Sequence, residues 1–370
     1  MRILFMFDGL GRGGRERRFV QLVKGLNETG YHDLFLINTR DIIEYQEIFD
    51  YDIKIEFINR HKCGFYYNLI KRINEISPDI VQPWTDVNAL HLDVAYLFFK
   101  KRPAYISSFI ADCNYFKHPL WSKVAMRISY WLSCYIISNS KAGLDSYKVK
   151  GNKGICIHNG FDFKRLSVAR NKNLKKELGV STKYVVSMVA RMQNNKDFPM
   201  YMEAAKKVLE HRNDVTFLAV GSGPMESLWR NDVPDIFKEK IIFTGGRDDI
   251  DDVFHITDIC VLCSNAVVHG EGVSNSILEA MASGIPVVAT TGGGTAEIVE
   301  NKITGFLIKP KDVKDLVKRI VLLLDDEELR SKLGIASEQR IRKYFSLEYS
   351  TQKYVELYKK IENDETYSNN

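Results

Sequence analysis

No apolar run in this 370-residue chain approaches the ~18 residues that a membrane-spanning helix needs, which excludes a helical transmembrane protein. Cysteine is sparse and unpatterned. The six residues (63, 113, 134, 156, 260 and 263) show no framework spacing, so a disulfide-stapled scaffold is excluded. Cys260 and Cys263 do form a C-x-x-C, but they sit in the apolar run DICVLCS. That run reads as a buried strand, where residues three apart point to opposite faces, so reduced core cysteines are expected. None of the eight histidines stands at metal-ligand spacing from another, and no metal is expected. Nucleic-acid motifs, short-period repeats and low-complexity blocks are also missing. MRILFMF runs straight into charged, glycine-rich sequence without a small-residue cleavage site, which predicts a cytoplasmic protein.

Hydrophobic residues make up 45% and charged residues 27%, the composition of a water-soluble globular protein, and the length suits two domains. The formal net charge of +5 is uneven: 24 Lys and Arg stand against 17 Asp and Glu in residues 1–165. A basic first half suits an anionic partner such as a phosphate-bearing substrate or an acidic membrane surface.

Short β-branched runs alternate with segments of helical period. Strands are predicted at Ile3–Phe7, Leu34–Asn38, Ile53–Ile58, Asp79–Pro83, Ala104–Phe109, Tyr135–Ser138 and Ile155–His158. The series restarts near Lys183 with Tyr184–Ala190, Val215–Val220, Ile241–Phe243, Ile259–Leu262, Ile285–Ala289 and Gly305–Ile308. Such alternation implies α/β architecture with parallel sheets. Two domains are expected, 1–163 and 164–345, with a polar, basic linker at about 160–182. A last helix at about 346–362 is expected to pack back onto the first domain. The tail TYSNN reads as frayed.

In open α/β sheets ligands gather at the carboxyl ends of strands, so chemistry is sought in those loops. At the centre of the stretch CSNAVVHGEGVSNSILEAMASGIPVVATTGGGTAEIVE are two carboxylates separated by seven residues. Glu271 lies in a glycine-flanked loop and Glu279 in the opening turns of a helix. Arg191 and Lys196 follow a strand and precede a helix start, where they could neutralise a diphosphate or stand as solvated surface cations. Gly11, Gly13 and Gly14, in FDGLGRGGRER, permit backbone amides to approach an anion or simply make a turn. The loop formally matches G-x-G-x-x-G, but no Gly-Lys-Ser/Thr follows it, so it is not a Walker loop. Asp249 and Asp251 form an Asp-x-Asp, a pair that could hold a divalent metal but is read here as acidic residues favoured in a first helical turn.

The run GEGVSNSILEAMASGIPVVATTGGGTAEIV resembles the E-x7-E signature of the retaining glycosyltransferases of family 4. IISNSKAG, IHNGFD, VARMQNNKDF and VGSGPMESL extend the likeness over nearly the whole chain, in the family's order. The resemblance implies the GT-B fold, two Rossmann-like domains with parallel sheets facing an interdomain cleft. It implies that Glu279 binds the donor ribose, and that Glu271 faces hydroxyls of the transferred sugar. By the same resemblance, Gly272, Val273, Ser274 and Asn275 hold sugar and phosphate through their backbone, and Arg191 and Lys196 stabilise the departing diphosphate. Gly246 and Arg247 would meet the base, with Gly13 and Gly14 beside the donor phosphates. Many relatives carry a histidine after the fifth strand; here the region reads YISSFIADCNYF, and Asp112 could position the acceptor, act as a base, or cap a turn.

The activity so implied is metal-independent transfer of a hexose or N-acetylhexosamine, with no cofactor, from a nucleotide sugar such as a UDP-sugar. The acceptor would be a cell-surface glycan or lipid-linked glycan. A sugar-nucleotide epimerase and a non-catalytic sugar-nucleotide-binding subunit are the alternatives. In PLWSKVAMRISYWLSCY, Trp121, Val124, Ile128, Trp131 and Leu132 fall at helical spacing around Lys123 and Arg127, and LFFKKRP adds a second aromatic and basic patch. Two readings stand for these segments: peripheral contact with an anionic membrane on its inner face, or an ordinary core helix with a solvated basic face.

Overall fold

The computed structural model describes residues 1–168, 170–265 and 270–364. Of the segments singled out above, Ala266–His269 of the E-x7-E stretch and the TYSNN tail lie outside the described residues. The chain forms two compact units, Met1–Gly160 with Leu347–Asn370, and Phe161–Ser346.

In the first unit the strands are β1 (Ile3–Phe7), β2 (Leu34–Asn38), β3 (Ile53–Phe57), β4 (Ile80–Pro83), β5 (Ala104–Ile110), β6 (Tyr135–Ser138) and β7 (Gly154–Cys156). They form one sheet in the order β3-β2-β1-β4-β5-β6-β7, and every pairing is parallel. The second unit has β8 (Tyr184–Val189), β9 (Val215–Val220), β10 (Ile241–Gly245), β11 (Ile259–Leu262), β12 (Val287–Thr290) and β13 (Gly305–Ile308). These form a second parallel sheet in the order β10-β9-β8-β11-β12-β13. Every residue of β1, β2, β8 and β9 is buried. Helices cover both faces of a parallel sheet, so its central strands carry continuous apolar runs rather than alternation.

Both sheets are Rossmann-like. In each, the strand order reverses beside the first strand: between β1 and β4, and between β8 and β11. The two strands at such a point send their following segments to opposite faces, which opens a crevice at their carboxyl ends. The loops after β8 and β11 flank that crevice in the second unit.

The helix Leu347–Glu362 packs on the helix Gly14–Glu28 within the first unit. A Cβ on Gly25 would stand 2.0 Å from Thr351 Oγ1, so a glycine is required for that approach. Tyr354, Leu357 and Tyr358 are buried, and the Tyr358 hydroxyl donates to Gln82 Oε1 at 2.7 Å. Each such side chain contributes ~1.5–3 kcal/mol by leaving water, so this terminal helix is integral to the unit.

The basic stretch at 160–182, expected as a linker, is instead built into the second unit. Phe161, Leu174 and Val180 belong to its core, and the backbone amide of Phe161 donates to the carbonyl of Phe345. A helix absent from the sequence reading, Glu327–Tyr344, follows helix Val313–Asp325. It has little apolar periodicity, burying only Leu333, Gly334, Ser337 and Ile341. Its end signals are nonetheless legible: Asp326 accepts from the Leu329 amide, Glu327 and Glu328 open it, and Arg342 and Lys343 close it.

Candidate active site

The loop after β8 carries Arg191 and Lys196, and the segment after β11 carries Ser264 and Glu271. These meet at the reversal of strand order. The amide of Asn265 donates to the carbonyl of Asn195 and that of Asp197 to the carbonyl of Cys263, lacing the two loops together. Lys196 Nζ lies 2.5 Å from Glu271 Oε2, with their side chains only 10% and 15% exposed, and Ser264 Oγ donates to the same oxygen at 3.3 Å. Asp197 then caps the helix Phe198–Leu209 by accepting from the Met200 amide, and its other oxygen pairs with Lys311 Nζ at 2.6 Å.

Arg191 is different. It is exposed, and its side chain makes no hydrogen bond or ion pair among the described residues. Of the two cations singled out by sequence, Lys196 has its charge matched by Glu271, whereas Arg191 holds its charge uncompensated.

The glycine loop after β12 shapes this site indirectly. Gly293 adopts φ +56°, and a Cβ there would lie 1.8 Å from the Glu271 carbonyl oxygen, while the Gly294 amide donates to that same oxygen at 2.8 Å. Glycine is needed at 293 both for its left-handed backbone and for close approach. Its task is to seat the Glu271 loop. Gly272, Val273 and Ser274 are buried behind Glu271, and Asn275 opens the helix Asn275–Ala282. Ser274 makes no side-chain capping bond to that helix; its hydroxyl instead lies 3.0 Å from that of Ser276.

Glu279 is buried in the same helix and is held by a residue the sequence reading missed. Arg165 donates to Glu279 Oε1 at 3.2 Å and forks onto Asp251, with Nη2 to Oδ1 at 2.7 Å and Nε to Oδ2 at 3.1 Å. The guanidinium lies 5.0 Å from the Phe161 ring. Burial works against the Arg165 charge, but the two carboxylates outweigh it and raise its pKa above the usual arginine value. Asp249 is engaged separately by Arg247 through Nε at 2.7 Å and through Nη2. The two acids of the Asp-x-Asp thus serve two different arginines. Asp251 and Asp252 also lie in the first turn of helix Ile250–His255, as a helix dipole favours. The Arg247 side chain is therefore turned to Asp249.

In the first unit, Gly13 precedes helix Gly14–Glu28, and a Cβ on it would meet Glu16 Oε2 at 2.1 Å. The Glu16 carboxylate folds back over the helix start, as in a capping box, and burial raises its pKa. The open glycine position is filled by the protein's own anion. Asp112, after β5, accepts from the Asn114 amide at 3.0 Å and from the Tyr147 hydroxyl at 2.9 Å. It therefore makes the turn that was one of its three readings. Tyr147 also lies 3.1 Å from His118 Nε2, joining Asp112 to a histidine just before helix Leu120–Leu132. Sequence separation of 29 residues gave no sign of that link.

Cys260 and Cys263 are buried free thiols in the second core, and burial pushes the Cys260 thiol up to about 12. A cavity of 440 Å³ lined by Thr257, Asp258, Ser283 and Pro286 opens at the opposite, amino-terminal ends of β11 and β12, away from these loops.

The two parallel Rossmann-like sheets are those of a GT-B fold, and comparison with known proteins agrees. A family model described as glycosyl transferases group 1 matches residues 183–326, which span β8 through helix Val313–Asp325. An Escherichia coli UDP-Gal:alpha-D-GlcNAc-diphosphoundecaprenol alpha-1,3-galactosyltransferase is 33% identical over 180 residues, covering 47% of this chain and 46% of that enzyme. The chain thus matches about half the length of that relative. An uncharacterized glycosyltransferase of Haemophilus influenzae is 24% identical over 94% of this chain and 96% of its own. Among solved structures, Anabaena HepE in complex with UDP and glucose superposes with a TM-score of 0.83 at 20% identity, covering 97% of this chain and 99% of that one. The glycosyl transferases group 1 model thus falls within the second unit, and the solved structures show the GT-B fold over nearly the whole chain.

Proposed function

We propose that the protein is a retaining glycosyltransferase that moves a hexose or N-acetylhexosamine from a UDP-sugar to a glycan or lipid-linked glycan in cell-surface polysaccharide or glycolipid synthesis. The observation that carries this reading is the strand-order reversal in the second unit, where Arg191, Lys196 and Glu271 converge on two neighbouring loops. The Escherichia coli relative is named for a UDP-Gal donor and a diphosphoundecaprenol acceptor, and HepE binds UDP and glucose, which supports a UDP-sugar here.

In the reaction, the bond between the anomeric carbon and the diphosphate oxygen breaks, and its electron pair leaves with the diphosphate. The acceptor hydroxyl oxygen forms the new bond on the same face and its proton passes to the departing phosphate. Negative charge grows on that phosphate, so a preorganised cation lowers the barrier; loss of one such group costs ~10²–10³ in rate. Arg191 supplies this charge directly. Lys196 supplies it once sugar hydroxyls share Glu271, which orients the lysine and accepts from the sugar. Glu279, fixed by Arg165, accepts from the ribose diol. The amides at Gly272–Asn275 suit phosphate. Asp112, tied through Tyr147 to His118, would orient the acceptor. The chemistry assigned to these side chains needs neither metal nor cofactor.

A panel of sugar nucleotides tested for protection against thermal unfolding, followed by transfer assays with product anomers read by NMR, tests the proposal. Protection by UDP-sugars and an acceptor-dependent product of retained configuration are expected. Interconversion of a UDP-sugar without acceptor would instead show an epimerase, and protection by no nucleotide would refute the reading.

A further inference from the structure

The helix Leu120–Leu132 is packed inside out. It buries Ser122, Met126, Ser129 and Tyr130, and turns Trp121, Val124, Ile128 and Trp131 to solvent, with the two tryptophans 69% and 78% exposed. The sequence left open whether this apolar face was a core face; the structure turns it outward. Polar bonding explains the inversion. Ser129 Oγ donates to Asp93 on the neighbouring helix Asp86–Tyr96 and the Ser133 hydroxyl donates to the Ser129 carbonyl, so the serine side is the one held down. The neighbouring helix likewise exposes Val87, Leu90 and Val94, and runs into exposed Leu97 and Phe98. Large apolar faces left in water on a folded domain mark a surface that is covered in use.

The charge around this surface is of one sign. From Val94 to Leu144 there are seven Lys and Arg and a single acidic residue, Asp112. Asp112 is occupied by Tyr147 and Asn114. Lys117, Lys123 and Arg127, which flank the exposed tryptophans, have no acidic partner among the described residues. No helix in the described residues is long and apolar enough to cross a membrane.

We propose that this face seats the first unit on the surface of an acidic lipid bilayer, with Trp121 and Trp131 in the headgroup layer and Lys117, Lys123 and Arg127 on the lipid phosphates. Tryptophan suits that depth because one molecule presents both an apolar ring and a polar N–H. A second copy of the chain fits less well, since an isologous contact would set the uncompensated cations of one strip against those of the other. The inference stands on the surface alone and does not depend on the transferase reading.

The test uses the full chain with vesicles of phosphatidylcholine alone and of phosphatidylcholine mixed with phosphatidylglycerol. Trp84 and Trp229 are already buried, so a blue shift of tryptophan emission would report Trp121 and Trp131 entering lipid. Binding and a blue shift are expected with the acidic vesicles, both weakened by salt. The Trp121→Ser, Trp131→Ser double variant should lose the shift and the sedimentation with vesicles, while its thermal unfolding stays unchanged because both sites are exposed. Each of Lys117→Gln, Lys123→Gln and Arg127→Gln should lower partition onto acidic vesicles about fivefold. Absence of vesicle binding, or equal binding to neutral and acidic vesicles, overturns the proposal. So does self-association in sedimentation velocity that the tryptophan double variant abolishes.

Discussion

Replacing Lys196 with Met removes one charge from a nearly buried ion pair while keeping an apolar stem of similar length. Lys196 Nζ and Glu271 Oε2 are 2.5 Å apart. At an effective dielectric of ~20, that separation gives an attraction of about 6–7 kcal/mol. Desolvation of both ions cancels a large part of it. What the variant measures is different: Glu271 remains in place with its Oε2 facing Ser264 Oγ in place of a cation. Breaking a buried pair in this way costs ~3–5 kcal/mol. Urea unfolding, followed by hydrogen exchange at β8 and β11, should therefore show a loss of this size confined to the second unit. Lys196→Met combined with Glu271→Gln should recover most of it, because both charges of the pair are then removed together. If the single variant is as stable as the wild type, or the double variant is no more stable than the single one, the pair is not the tie between these two loops.

Arg191→Ala should leave the unfolding midpoint within the scatter of a surface change yet lower turnover ~10²–10³-fold, because the side chain supports nothing in the fold. Unchanged turnover with only weaker donor binding would remove its assigned role. Gly293→Ala forces a Cβ to within 1.8 Å of the Glu271 carbonyl oxygen at φ +56°, and should cost ~1–3 kcal/mol in strain as well as activity, read by calorimetry and by transfer assay. Burial raises the Asp93 pKa from 3.8 to about 6, so the folded state holds a proton that the unfolded state has lost between those values. Its contribution is full below about pH 4 and is lost as pH rises to about 6, a fall of ~3 kcal/mol that Asp93→Asn should abolish in a pH series of unfolding curves.

The sheets were legible because their central strands are buried on both faces and so stand out as β-branched runs; β1, β2, β6, β9, β11 and β13 fall on their predicted residues. Helix Glu327–Tyr344 was not, because its contact with the core is a narrow strip containing Gly334 and Ser337, and only its end charges and cap betray it. Arg165 had no local signal: its partner Glu279 is 114 residues away, and its basic neighbourhood resembles a linker. Periodicity drew the apolar face of helix Leu120–Leu132 correctly but could not say which side faced inward. That depended on Asp93, a buried carboxylate on another helix that claims the Ser129 hydroxyl. The carboxylates Glu271 and Glu279 were picked out through the resemblance of their stretch to a family signature, while the cation that each one holds emerged only from the fold.

In the function proposed above, the carboxyl end of the second sheet is a nucleotide-sugar site with Glu279 on the ribose. Isothermal titration of UDP into the wild-type protein and into Glu279→Ala tests it most directly, since Arg165 keeps Asp251 as a partner in the variant. Loss of a charged hydrogen bond to the ribose, worth ~1.5–3 kcal/mol, predicts binding that is weaker by about 10- to 100-fold. Equal affinity of the two proteins for UDP would contradict it.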